Sequence, residues 1–196
     1  MMENRSSRRF RRIVSLILGT ALAAVVSLVA TTVTASPAQA ASGCSGYFGP
    51  YWFAGADATA DAGHLKVLAV ESPWTTGSHS YIWDYNNDLR QKWCLQSIYY
   101  VVPDVHTYRF RLASDNSLCL GGSQYQGAWP SLGPCTTASA LEFRQYVSGS
   151  VNGNEAYRFK AWPNETYCLD VYNGDSGNGT HVILWTCNGQ SNQLWY

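Results

Sequence analysis

Charge is scarce in this chain. Charged side chains make up 13% of its 196 residues. Beyond Arg12 there is no basic cluster, which argues against nucleic acid as a partner. No C-x-x-C pair occurs, so a zinc site built from such pairs is not expected. No phosphate loop, metal-ligand cluster or paired-carboxylate arrangement stands out either, and neither a metal nor a cofactor is expected. The aromatic residues go the other way. With 13 Tyr and 8 Trp, the composition predicts β-structure rather than helix.

The N-terminus carries a targeting pattern. A basic stretch, MMENRSSRRFRR, precedes an apolar run from Ile13 to Ala30, and Ala38-Gln39-Ala40 fits a small-residue cleavage site. The competing reading is an uncleaved anchor, since 18 apolar residues can approach a membrane span. Ser15, Gly19, Thr20 and Ser27 weaken that run, so residues 1–40 read as a secretory signal peptide. Arg8-Arg9 fits a twin-arginine signal poorly. The exported protein is expected to begin near Ala41, outside the cell and free of the membrane. Cleavage takes basic residues from 13 to 8 and acidic ones from 13 to 12, so the remainder has a net charge of −4. The remaining 156 residues suit one domain, 41–196, expected to be monomeric.

Repeats organise that domain. YRFRLASDNSLCL from Tyr108 and YRFKAWPNETYCL from Tyr157 align without a gap at an offset of 49. Each begins with the period-two alternation of a half-buried strand. Turn residues follow, Asp115-Asn116 and Pro163-Asn164, and then a strand carrying Cys-Leu, which is a hairpin pattern. A second recurrence ends each unit. Gln91-Lys92-Trp93 and Gln193-Leu194-Trp195 share a Q-x-W pattern, and Leu141-Glu142-Phe143 is a worn copy between them. Three units result, approximately 44–94, 95–144 and 145–196. Trp93, Phe143 and Trp195 recur at a packing position and are expected in the core.

Threefold repeats ending in Q-x-W, with C-L-D-V and L-W-x-C-N-G in the third, resemble the ricin B-type lectin domain. The resemblance covers nearly all of residues 44–196 and is strongest in the third repeat. It implies an all-β chain folded as a β-trefoil, in which six hairpin strands close a barrel and the others form a cap. One fifty-residue unit cannot bury its apolar face alone, but three around an axis can. All six cysteines lie in this region, and an even number in an exported chain reads as disulfides. Cys119 and Cys135 occupy the same places in repeat two as Cys168 and Cys187 in repeat three. One bridge within each of these repeats is therefore expected, leaving Cys44 to pair with Cys94.

A sugar ring offers an apolar face and a rim of hydroxyls. Its recognition takes a flat aromatic and planar polar groups, and a carboxylate that accepts two hydroxyl protons is especially effective. The resemblance implies a carbohydrate site in repeat three, with Asp170 gripping hydroxyls and Trp185 stacking on the ring. By the same resemblance Asn188 and Asn192 add hydrogen bonds, and Gln193 supports the site from behind. Ile183 stands where many relatives have Gln, which leaves the choice among galactose, lactose and xylan-type sugars open. In repeat two, Gly121, Gly133 and Leu141 match Asp170, Trp185 and Gln193, so nothing is left to grip a sugar. Repeat one keeps Trp83, a possible weak second site, but has Ala69 for the aspartate, with Glu71 displaced by roughly 7 Å along the strand.

Gly174-Asp175-Ser176-Gly177 resembles the nucleophile segment of chymotrypsin-like serine proteases. None of His64, His79, His106 or His181 lies in that family's A-H-C setting, and the composition is that of an ordinary turn. Asn164-Glu165-Thr166 and Asn178-Gly179-Thr180 are glycosylation sequons. The expected function is carbohydrate binding without catalysis. The alternatives are a trefoil that has lost sugar binding and blocks another protein, such as a protease, and a small secreted hydrolase.

Overall fold

The computed structural model describes residues 43–98, 106–136 and 140–196. The signal peptide, its cleavage site and the apolar run expected within residues 1–40 lie outside the described residues.

Eleven strands organise the described residues. They are β1 (Phe48–Tyr51), β2 (Lys66–Val70), β3 (Ser80–Asp84), β4 (Trp93–Ile98), β5 (Thr107–Leu112) and β6 (Asp115–Gly121), then β7 (Ser131–Pro134), β8 (Glu142–Val151), β9 (Asn154–Trp162), β10 (Tyr167–Val171) and β11 (Val182–Thr186). One α-helix, α1 (Ala56–Ala62), interrupts the all-β plan between β1 and β2. It stops at Gly63, whose φ of 69° suits a left-handed helix end.

The three repeats are visible as three antiparallel hairpins, β2–β3, β6–β7 and β10–β11. Their registers are superimposable. Val67, Cys119 and Cys168 face Trp83, Gly133 and Trp185, while Ala69, Gly121 and Asp170 face Tyr81, Ser131 and Ile183. Strands β1, β4, β5, β8 and β9 supply the barrel wall. A twelfth strand is replaced by single bridges. Trp195 pairs with both Gly55 and Tyr157, so the last residues close the ring against the first.

Two layers of aromatics fill the interior. Phe53, Phe110 and Phe159 meet in a triangle with centroid distances of 4.9, 4.9 and 5.3 Å. The closing aromatics Trp93, Phe143 and Trp195 are fully buried around them. The two indoles also donate to matching carbonyls, Trp93 Nε1 to Leu68 O and Trp195 Nε1 to Leu169 O. A buried Trp needs such an acceptor. Phe143 has no N–H to satisfy and fits the same place.

The hairpins are tied to one another by a closed ring of backbone hydrogen bonds. Ile82, Leu132 and Leu184 donate to Thr180, Ser78 and Ala128, and accept from Gly179, Gly77 and Gly127 respectively. All three glycines have positive φ, between 81° and 94°, a region that costs an L-residue roughly 1–2 kcal/mol. Two residues beyond them, His79, Trp129 and His181 form one stack, with the indole between the imidazoles at 4.1 and 3.6 Å. The threefold plan is thus strictest in the backbone.

The disulfides are Cys44–Cys94, Cys119–Cys135 and Cys168–Cys187. The last two close matching hairpins, and the first ties the N-terminal segment to β4. The turn expected at Asp115-Asn116 falls two residues earlier, at Ala113–Ser114. Asp115 already pairs with Leu112, and its carboxyl accepts from Ser117 N inside a register shift. In repeat three the bend does contain Pro163 and Asn164, whose side chain accepts from Thr166 N.

Candidate functional site

Asp170 sits in the middle of β10, and its side chain is almost wholly buried, 2% exposed. A lone carboxylate is costly there, and two amides relieve it. Asn192 Nδ2 donates to Oδ1 at 3.0 Å and Gln193 Nε2 to Oδ2 at 2.8 Å. Burial outweighs them and pushes the carboxyl up to about 6. Gln193 is itself fully buried. Its Nε2 also reaches Thr186 O, and its Oε1 accepts from Asn188 N, so it clamps β10, β11 and the segment after Cys187 together. Gln91 does the same in repeat one, holding Asp84 O and Asn86 N.

Asp170, Trp185, Asn188 and Asn192 line one hollow of about 250 Å³. Trp185 projects from β11 and is 36% exposed, a large aromatic surface left open to solvent. Its edge lies against Gly127 of the neighbouring repeat, where a Cβ would be 3.9 Å from the indole. Ile183 also lines the hollow, facing Asp170 across the hairpin. Gln193 is not among the lining residues. It stands behind Asp170 rather than in the opening.

Five lining residues escape the motif reading: Asp57, Tyr172, Asn173, Gly174 and Gln190. Tyr172 follows the C-L-D-V strand, and Gln190 precedes the closing motif, so their positions could have been read from the repeat. Asp57 could not. It comes from α1, which belongs to no recurring motif.

The matching places in the other repeats are filled or empty. In repeat one, Tyr81 stands where Ile183 stands and is 9% exposed, packed beside Ala69. Its hydroxyl lies 3.4 Å from Arg90 Nη1, and Arg90 is held by Asp88. Arg90 precedes Gln91 as Asn192 precedes Gln193, so a guanidinium bonded to Asp88 and near the Tyr81 hydroxyl stands at the place of the Asn192 amide. Trp83, 38% exposed, meets Tyr81 edge-on at 5.7 Å. It borders a broader hollow of about 710 Å³ that is shifted toward the axial stack and includes Glu71, Trp129 and His181. Glu71 is spent in part on the backbone, accepting from His79 N. In repeat two the corresponding Gly121 and Gly133 provide no side chain.

The G-D-S-G segment is a turn. Asp175 Oδ1 accepts from Gly177 N, and Thr180 Oγ1 donates to Gly177 O. The four histidines are engaged elsewhere. His64 pairs with Asp84, His79 and His181 sandwich Trp129, and His106 stacks on Tyr108. The sequon residue Asn178 is tied in as well. Its Nδ2 donates to Asp84 Oδ2, and its Oδ1 accepts from Lys66 Nζ and Asp84 N. A glycan on that nitrogen would break the joint between repeats one and three.

No protein-family model matches this sequence, and no curated protein does. Solved structures do resemble it. The designed threefold-symmetric protein ThreeFoil superposes with a TM-score of 0.58 at 20% identity, covering 74% of this chain and 94% of its own. The Macrolepiota procera ricin B-like lectin, solved in complex with lactose, gives 0.53 at 23% identity over 74% and 91%. The Rhizoctonia solani agglutinin gives 0.53 at 15% identity over 74% and 90%. The chain folds as a disulfide-stapled β-trefoil.

Proposed function

We propose that this protein is a secreted, non-catalytic carbohydrate-binding protein of the ricin B-type lectin kind. It binds a galactose- or xylan-type sugar through its third repeat. The carrying observation is the hollow in which the open face of Trp185 and the buried carboxyl of Asp170 converge with Asn188 and Asn192. An apolar plate beside an oriented acceptor suits a ring that has C–H groups on one face and hydroxyls at its rim. The lactose complex of the Macrolepiota procera lectin, which shares the fold, supports the same class of ligand. Three disulfides and the N-terminal signal pattern support export, and the protein acts as a monomer.

The second reading is a trefoil that engages another protein rather than a sugar. It is favoured by the fate of the matching pockets, one plugged by Tyr81 and Arg90 and one reduced to Gly121 and Gly133. A glycan and polysaccharide screen of the exported form separates the two. Sugar binding that is lost in Asp170→Ala supports the first. A blank screen with a folded protein overturns it.

A further inference from the structure

The hollow of repeat three has an unusual balance of hydrogen-bonding groups. Its lining includes two carboxyls, Asp57 and Asp170, and no Lys, Arg or His. The amide donors nearest the floor are already used. Asn192 Nδ2 donates inward, to Asp170 Oδ1 and Val171 O. Gln193 Nε2 is spent on Asp170 and Thr186 O. Toward the opening the lining adds the side chains of Tyr172, Asn173, Asn188 and Gln190, which both donate and accept, and the carboxyl of Asp57, which only accepts. Asn192 Oδ1 is buried, closed off from the opening. Asp57 is half-buried at the rim, with Oδ2 3.8 Å from where a Cβ on Gly174 would lie. Helix α1 holds it there. The helix is fixed against the closing segment through the hydrogen bond from Ala56 N to Leu194 O.

We propose that Asp57 tunes this pocket to sugars bearing a primary ammonium, and against acidic sugars. This rests on the sugar-binding reading of the same hollow. An ammonium is three donors with no acceptor and carries a positive charge, which suits a lining with two carboxyls and no Lys, Arg or His. A neutral ring uses Trp185 and Asp170, with Asn188 and Asn192 beside them. An amino sugar adds a charge-assisted bond to Asp57, whereas a uronic or sialic carboxylate meets two like charges in one small space. Asp57 is a specificity residue supplied from outside the threefold plan, so neither of the other repeats has its counterpart in α1.

Calorimetric titration near neutral pH tests this, with D-galactosamine, D-galactose and N-acetyl-D-galactosamine, and the matching glucose series, as probes. The parent should bind the free amine about fivefold more tightly than the neutral sugar at low salt. That preference should shrink as salt is raised. In Asp57→Asn the preference for the free amine over the neutral sugar should vanish. A parent that binds neutral sugars but shows no amine preference overturns the inference and leaves the sugar site standing. So does a preference that survives Asp57→Asn. Failure of every probe to bind the folded parent overturns both.

Discussion

Protonation of Asp170 should control ligand binding. In the free protein its carboxyl titrates near 6, because burial opposes the charge more than the amides of Asn192 and Gln193 favour it. An Asp in an unfolded chain titrates near 3.9. The folded form therefore holds its proton more tightly, and this group contributes stability below about pH 4 that is lost as pH rises through about 6, on the order of 3 kcal/mol. Ligand binding runs the opposite way. A carboxylate accepts two hydroxyl protons, but a carboxylic acid keeps one oxygen committed to its own proton. Only the ionised form should bind well. About one molecule in eleven is ionised a full unit below the folded pKa, so affinity at about pH 5 should be roughly tenfold lower than at about pH 8. Isothermal titration of a soluble sugar across that range measures it. Asp170→Asn keeps the shape and removes both charge and titration. It should weaken binding by roughly 1.5–3 kcal/mol and flatten the profile. Its new amide meets the Asn192 or Gln193 donor, so its fold must be checked by circular dichroism first. An affinity that does not change between about pH 8 and pH 5 would falsify the role given to Asp170.

Trp185→Ala should abolish detectable sugar binding, because a single shallow site starts near a Kd of roughly 0.1–1 mM and has little affinity to lose. Trp83→Ala should leave binding nearly unchanged, since Tyr81 and Arg90 fill the pocket beside it; the reverse result in the same titration would move the site to repeat one. Gly179→Ala should cost roughly 1–2 kcal/mol in a denaturant melt, because φ is +87° there. Gly133→Ala, with nothing within 4 Å of the new Cβ, should stay within about 0.5 kcal/mol. Replacing Cys168 and Cys187 together by Ala should lower stability by about 3 kcal/mol through the freed 19-residue loop, read as a drop in melting temperature under non-reducing conditions.

The fold was legible where side chains repeat. The Y-R-F and Q-x-W copies mark barrel strands and closing aromatics because those places need one kind of residue each. Two equally regular signals are harder to see. Tyr51-Trp52-Phe53 is the third copy of Y-x-F, but α1 displaces it from the fifty-residue spacing. Gly77, Gly127 and Gly179 each stand five residues before Ile82, Leu132 and Leu184, yet glycine recurs for a backbone reason that composition does not reveal. In the site, Asp170, Trp185, Asn188 and Asn192 follow from one motif and share one hollow. Asp57 reaches it from far away in the sequence. The plugging of repeat one by Tyr81 and Arg90 depends on which face each side chain takes, and Ala69 alone does not announce it.

The division between what repeats and what does not explains why one pocket persists while two are lost. Stability resides in the ring of hairpin hydrogen bonds, the two buried aromatic layers and the Gln91 and Gln193 clamps. Of these only the Gln193 clamp engages the residue at 170, and Gln91 works in repeat one with no such partner at 69. A buried aspartate in that place is a burden on the fold, since its charge is opposed by burial and needs two amides to hold it. Replacing it with Ala69 or Gly121 removes the burden. Repeat one then spends the space on a tyrosine packed against alanine, and repeat two leaves it to glycine. Drift toward small or apolar residues at this place is therefore favoured by stability wherever binding does not oppose it. Asp170 keeps a carboxyl where the fold would gain from losing it, with both oxygens bonded and an open tryptophan beside it. Stability offers no reason for that arrangement, and the proposed sugar site does.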